Sequence, residues 1–147
     1  MTVERRVLMI GLGTIARTHL AVLAELPDLV VVGGVDPAAP DLDLPVFRTL
    51  DDALRAEPAA DLVTVATPTA THVSLVREIV DRTDALVLSE KPLGVGAADI
   101  ESIADVADRV RVAHHFAFSP EVEWALAHVR TAGWRRPTRV TSRFNDA

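Results

Sequence analysis

The sequence contains no cysteine and a single lysine, Lys91, set against fourteen arginines. Without thiols there is no disulfide, no thiolate nucleophile and no cysteine-based zinc site, which points to a reducing, cytoplasmic setting. A basic stripe is also missing. The arginines never cluster beyond a pair and the formal charge is -6, so neither nucleic acid nor an anionic membrane meets a matching face. No apolar run approaches the ~20 residues of a membrane span. The run VLMIGLG after Arg5 and Arg6 is too short and too glycine-rich for an export signal, and it reads as a buried first strand.

What is present is strand-length apolar runs alternating with stretches of helical period. Strands are expected at 6–10, 30–35, 61–66, 85–89 and 110–114, each almost continuously apolar, as strands covered on both faces are. Val73, Val76 and Val80 form one helical stripe, and Ile100, Ile103, Ala104 and Ala107 form another. Repeated βαβ units predict an α/β fold, a doubly wound parallel sheet of the Rossmann type with strand order 3-2-1-4-5-6. The link after Asp36, PAAPDLDLP, has nine residues with three prolines, too few for a helical crossover. An irregular connection and a short third strand near Val46 to Arg48 are expected there. Later in the chain Ser119 reads as a helix N-cap, Pro120 as the first helical residue and Gly133 as the stop. A final strand is expected from Thr138 to Phe144.

Two features carry chemistry. GLGTIA, residues Gly11 to Ala16, follows the first strand and opens a helix. Gly11 permits a tight turn, Gly13 lets the backbone approach a pyrophosphate, and Ala16 lets the helix lie close on the strand, while Thr14 and Ile15 contribute amides at the helix start. Asp36 stands twenty-five residues after Gly11, at the end of the second strand, where it can accept hydrogen bonds from a ribose diol. Its successor is Pro37 and no arginine follows closely, so a 2'-phosphate would meet an uncompensated carboxylate; NAD is favoured over NADP. On these residues alone, a methyltransferase with a similar glycine turn and a turn that merely needs glycine both stay open.

The second feature is SEKPLG, residues 89–94, directly after the fifth strand, where open α/β sheets place their ligands. Together with GLGTIARTHL, the VDP at the end of the second strand, ATPTATH at 66–72 and HHFAFSP ending at Pro120, it resembles the glucose-fructose oxidoreductase, inositol dehydrogenase and MocA family over nearly the whole chain. That resemblance implies a nicotinamide cofactor across the top of the sheet. It implies that Thr67 and Pro68 border the dinucleotide, that Glu90 lies near the nicotinamide ribose, and that Lys91 reaches the substrate oxygen while His72 lines the site. The substrate class it implies is a sugar, cyclitol or related small alcohol. A compact ammonium suits the task at Lys91, because it can bond one oxygen and shift its pKa when desolvated, whereas a guanidinium stays charged.

The resemblance divides the chain into a dinucleotide-binding domain over 1–118 and the truncated start of a substrate domain over 119–147. Relatives draw an Asp and a His from that second domain, so the proton-transfer partner is expected from elsewhere. Ala117 departs from the arginine many relatives carry there. No metal is expected, since His114 and His115 lack a third ligand, and His19 and His128 read as structural. Two functions follow: the cofactor half of an NAD-dependent oxidoreductase, or a non-catalytic NAD-binding or interaction module or degenerate remnant. The strand 138–144 would expose Val140 and Phe144, which predicts self-association or a partner chain, unless Arg139 and Arg143 blunt the edge.

Overall fold

In the computed structural model, which describes residues 4–133 and Thr141, the apolar runs become six parallel strands. They are β1 (Arg5–Ile10), β2 (Leu29–Val35), β3 (Val46–Phe47), β4 (Leu62–Val65), β5 (Leu86–Ser89) and β6 (Val110–Val112). Their order in the sheet is β3-β2-β1-β4-β5-β6, the doubly wound Rossmann order. The alternating side chains of β1 show why these runs are apolar throughout. Leu8 and Ile10 pack into one core with Val63, Val65, Val76 and Ile79. Val7 and Met9 point to the other face, where they meet Leu12, Ala16 and Leu23. Helices cover both faces, so neither set can be polar.

Helix α1 (Thr14–Ala24) supplies Ala16 and Leu23 to the second core. Helix α3 (His72–Arg82) buries Val76 and Val80 of the expected stripe, packs Val73 partly buried against the same core, and adds Ile79, which the stripe did not include. Its last turn runs into a clamp. The Arg109 guanidinium donates to the carbonyls of Val80 at 3.0 Å, Thr83 at 2.5 Å and Ala85 at 2.8 Å. One cation thereby satisfies a last-turn carbonyl and the C-cap carbonyl of α3 and ties them to the entry into β5.

Two elements differ from the sequence pattern. The stripe Ile100 to Ala107 predicts a continuous crossover helix. The chain instead forms a five-residue helix α4 (Ala97–Glu101) and a separate 3-10 turn at Ala104–Val106. A guanidinium intervenes: Arg77 donates to the Ser102 carbonyl at 2.7 Å, an acceptor a continuing helix would use, and also holds Asp105. The second difference is α2 (Leu50–Ala56), a short helix that the pattern does not announce. Thr49 caps it, its hydroxyl accepting from the Asp52 amide at 3.1 Å, and Leu50 and Ala53 are buried. The link between β2 and β3 is irregular, as the prolines require.

The first compact unit ends at Ala113 and a second begins at His114. Taken by itself, the second holds a 3-10 turn at His115–Phe118 and helix α5 (Pro120–Thr131). Ser119 caps α5 by accepting from the Val122 amide at 3.4 Å, and Gly133 follows with φ of +68°, the left-handed conformation that ends a helix. Of the strand expected at 138–144 only Thr141 is described, and the rest of it, with the expected association surface, lies outside the described residues. Among the described residues no helix is long and apolar enough to cross a membrane, and no group of three or more His, Asp or Glu side chains could hold a metal ion.

Candidate functional site

The order of strands reverses direction at β1, which pairs with β2 on one side and β4 on the other. A crevice opens at such a switch point outside the carboxyl ends of the strands. Here it is a cleft of about 680 Å³. Gly11, Gly13, Asp36, Thr67 and Pro68 all line it. Positions 55 residues apart in sequence, Gly11 and Ala66, meet at its floor.

Gly11 has φ of +85°, and a Cβ there would stand 2.6 Å from the Ala66 carbonyl oxygen. Both the conformation and the close approach demand glycine. Gly13 differs. Its φ of -75° is open to any residue, and a Cβ would meet nothing within 4 Å. The space beside Gly13 is therefore free for a ligand atom rather than for the protein. Thr14 and Ile15 stand on the exposed first turn of α1, which has no side-chain cap and no acidic residue. Its unsatisfied amides and dipole suit an anion such as a diphosphate. Ala16 is fully buried beneath this turn and does not line the cleft.

Asp36 is held from two sides. One carboxylate oxygen accepts the Leu12 amide at 2.9 Å and the other accepts the Ala38 amide at 2.9 Å. Each oxygen keeps a further lone pair for a ligand hydroxyl. Close by lies a residue that the linear sequence hides. Arg48, just beyond β3, is the cleft's one cation among the described residues; it donates to the Pro37 carbonyl at 3.1 Å and has no carboxylate partner. The premise that no arginine accompanies Asp36 holds along the chain but fails in space. The detectable signal was its place at the carboxyl end of the strand neighbouring β2.

The ATPTATH segment builds the opposite wall. The Thr67 and Thr71 hydroxyls lie 2.7 Å apart, and Thr71 donates to the Pro68 carbonyl at 2.8 Å. His72 is buried beneath them at 1% exposure. Its Nε2 lies 2.7 Å from the Thr67 carbonyl oxygen and its Nδ1 lies 2.9 Å from the Pro92 carbonyl oxygen. Both ring nitrogens are thus within hydrogen-bond distance of a backbone carbonyl. His72 thus ties the cleft wall to the loop after β5 and does not line the cleft itself.

That loop carries Glu90 and Lys91, which also lie outside the cleft lining. The Lys91–Pro92 peptide bond is cis. Lys91 is exposed and has no ion-pair partner among the described residues. Glu90 is mostly buried, with one oxygen 2.8 Å from His19 Nε2 and the other accepting the Lys91 amide at 3.2 Å. His19 is the other site residue that the sequence conceals. It lies on α1, 71 positions from its partner, and no spacing rule links them.

Comparison with known proteins agrees with this geometry. Residues 5–118 match the oxidoreductase family with an NAD-binding Rossmann fold. The chain is 31% identical over 134 residues to the rhizopine catabolism protein MocA of Rhizobium meliloti, covering 87% of this chain and 37% of that protein. Among solved structures, a myo-inositol dehydrogenase from Corynebacterium glutamicum superposes with a TM-score of 0.75 at 27% identity, covering 89% of this chain and 42% of the other. GenD2 from gentamicin A biosynthesis, solved in complex with NAD, superposes with a TM-score of 0.73 at 28% identity, covering 90% and 40%. The chain spans about two fifths of the length of these relatives. It belongs to the glucose-fructose oxidoreductase, inositol dehydrogenase and MocA family, matched across the NAD-binding domain.

Proposed function

We propose that this chain binds NAD in the cleft at the β1/β4 switch point and serves as the cofactor half of an oxidoreductase acting on a sugar, cyclitol or related small alcohol. The observation that carries the reading is the empty Cβ position at Gly13 beside an uncapped helix start, with the Asp36 carboxylate facing the same cleft. Those residues fit a dinucleotide: amides for the diphosphate, and an acid for the ribose diol. Bound, the nicotinamide would supply the carbon that takes or gives hydride.

The chain's own residues would then divide the work. Thr67 and Pro68 form the wall against which the dinucleotide lies. His72 holds that wall to the Pro92 loop; with both nitrogens engaged, it positions rather than transfers protons. Lys91, exposed and unpaired, is the group that would hold the substrate oxygen while hydride moves at the attached carbon. Asp36 favours NAD, because a 2'-phosphate would lie against its carboxylate. Arg48 offsets part of that repulsion, so NADPH is expected to bind more weakly rather than not at all.

The test is titration of the purified chain with NADH and NADPH, read by cofactor fluorescence. NADH should bind more tightly than NADPH. Asp36→Ala should weaken NADH by roughly 10- to 100-fold, the equivalent of about 1.5–3 kcal/mol for a charge-assisted bond, and Arg48→Ala should weaken NADPH alone. Failure of both cofactors to bind would defeat the reading. Binding of NADH with no turnover on any polyol or sugar would instead favour a non-catalytic module.

A further inference from the structure

The Glu90 carboxylate lies at a junction. Its side chain is 13% exposed, and that of His19, bonded to it at 2.8 Å, is 17% exposed. The second Glu90 oxygen accepts the backbone amide of Lys91, and the Glu90 amide itself donates to the Val65 carbonyl at 2.8 Å. His19 belongs to α1, the helix that starts just after Gly13, and lies on its second turn. Strand β4 lies between β1 and β5, so the contact reaches over the end of an intervening strand. Among the described residues it is the one side-chain hydrogen bond that α1 makes to another element.

We propose that His19 is a positioning residue for Lys91. Acting through Glu90, it fastens the peptide that bears the lysine to the helix that starts at Gly13. A mostly buried carboxylate keeps its orientation only while its partners hold it, because a rotated oxygen would lose hydrogen bonds that burial makes hard to replace. With His19 in place, one Glu90 oxygen is pinned to α1 and the other remains aimed at the Lys91 amide. A diphosphate arriving at the helix start is thereby linked to the one lysine in the chain. This last step rests on the cofactor reading given above; the link from His19 to the Lys91 peptide does not.

The single lysine makes the proposal directly measurable. Protein grown with isotope-labelled lysine yields one backbone amide signal in a nitrogen–proton spectrum, that of Lys91, the donor to Glu90. Without cofactor, His19→Ala should shift this amide proton upfield and speed its exchange with solvent by about tenfold, the effect of losing one hydrogen bond. His19→Gln, which keeps a side-chain N–H, should restore most of the native shift. If His19→Ala does not fold, Glu90→Gln is read in the same way. A folded His19→Ala protein with the Lys91 signal unmoved would overturn the proposal, as would a change that His19→Gln fails to reverse. Adding NADH should move the Lys91 signal in the native chain and leave it nearly still in His19→Ala. Equal movement in both would overturn the cofactor link. Absence of NADH binding to the native chain would count against the cofactor reading alone, since the amide shift without cofactor is judged separately.

Discussion

Two glycines in one turn serve opposite purposes, and substitution separates them. At Gly11 an added methyl would meet the Ala66 carbonyl at 2.6 Å in a left-handed backbone. Gly11→Ala should therefore destabilise the fold by about 1–3 kcal/mol, the usual cost of a strained backbone position, seen as a fall in Tm. At Gly13 the backbone is permissive and the neighbouring space is empty. Gly13→Val should leave Tm nearly unchanged while abolishing NADH binding, because the side chain would fill the volume a diphosphate needs. If Gly13→Val unfolded the chain, or bound NADH normally, the assignment of that space to the cofactor would be wrong. The glycine spacing was plain in the sequence, and so was the division between a turn glycine and a ligand-facing one; the Ala66 carbonyl that crowds Gly11 was not, because it depends on how near the end of β4 comes.

At the level of elements, legibility followed locality. Helix α3 could be read from the period of Val73, Val76 and Val80, since the sheet it covers imposes that stripe. The helix expected through Ile100 to Ala107 failed because Arg77, 25 residues earlier in the chain, takes the Ser102 carbonyl. Arg48 and His19 were hidden for the same reason: their importance comes from partners brought by the topology. Arg109 makes this dependence testable. Its three carbonyl acceptors come from the end of α3 and the approach to β5. Arg109→Met preserves the aliphatic stem but leaves those acceptors without their donor, and should cost roughly 2–4 kcal/mol in urea unfolding, above the ordinary value for one lost hydrogen bond. A loss below about 0.5 kcal/mol, typical of a surface substitution, would mean that water replaces the guanidinium.

At the scale of the sheet, the carboxyl ends of β1 to β4 border the candidate cleft, and the amino ends of β1 and β4 are joined by an ion pair. Asp61, just before β4, accepts the Arg6 amide at 2.8 Å and the Arg5 guanidinium at 2.9 Å, joining the starts of β1 and β4. The Arg6 amide and then the Arg5 guanidinium hold its carboxyl below the ordinary aspartate value of 3.8. Asp105 is likewise lowered, chiefly by its hydrogen bonds from Arg77. A carboxyl with a folded value below its unfolded one binds protons more tightly in the unfolded chain, so stability rises with pH through that range. The contribution is complete above about pH 5, and it is lost as pH falls through 3.8 and below. Urea unfolding between pH 7 and pH 2.5 should therefore show a midpoint that falls below about pH 4. Asp61→Asn should lower the neutral-pH midpoint slightly, because the Arg5 partner is well exposed and the pair is screened by solvent, and should flatten the acid limb. An acid limb as steep in Asp61→Asn as in the native chain would assign the pH dependence to other carboxylates.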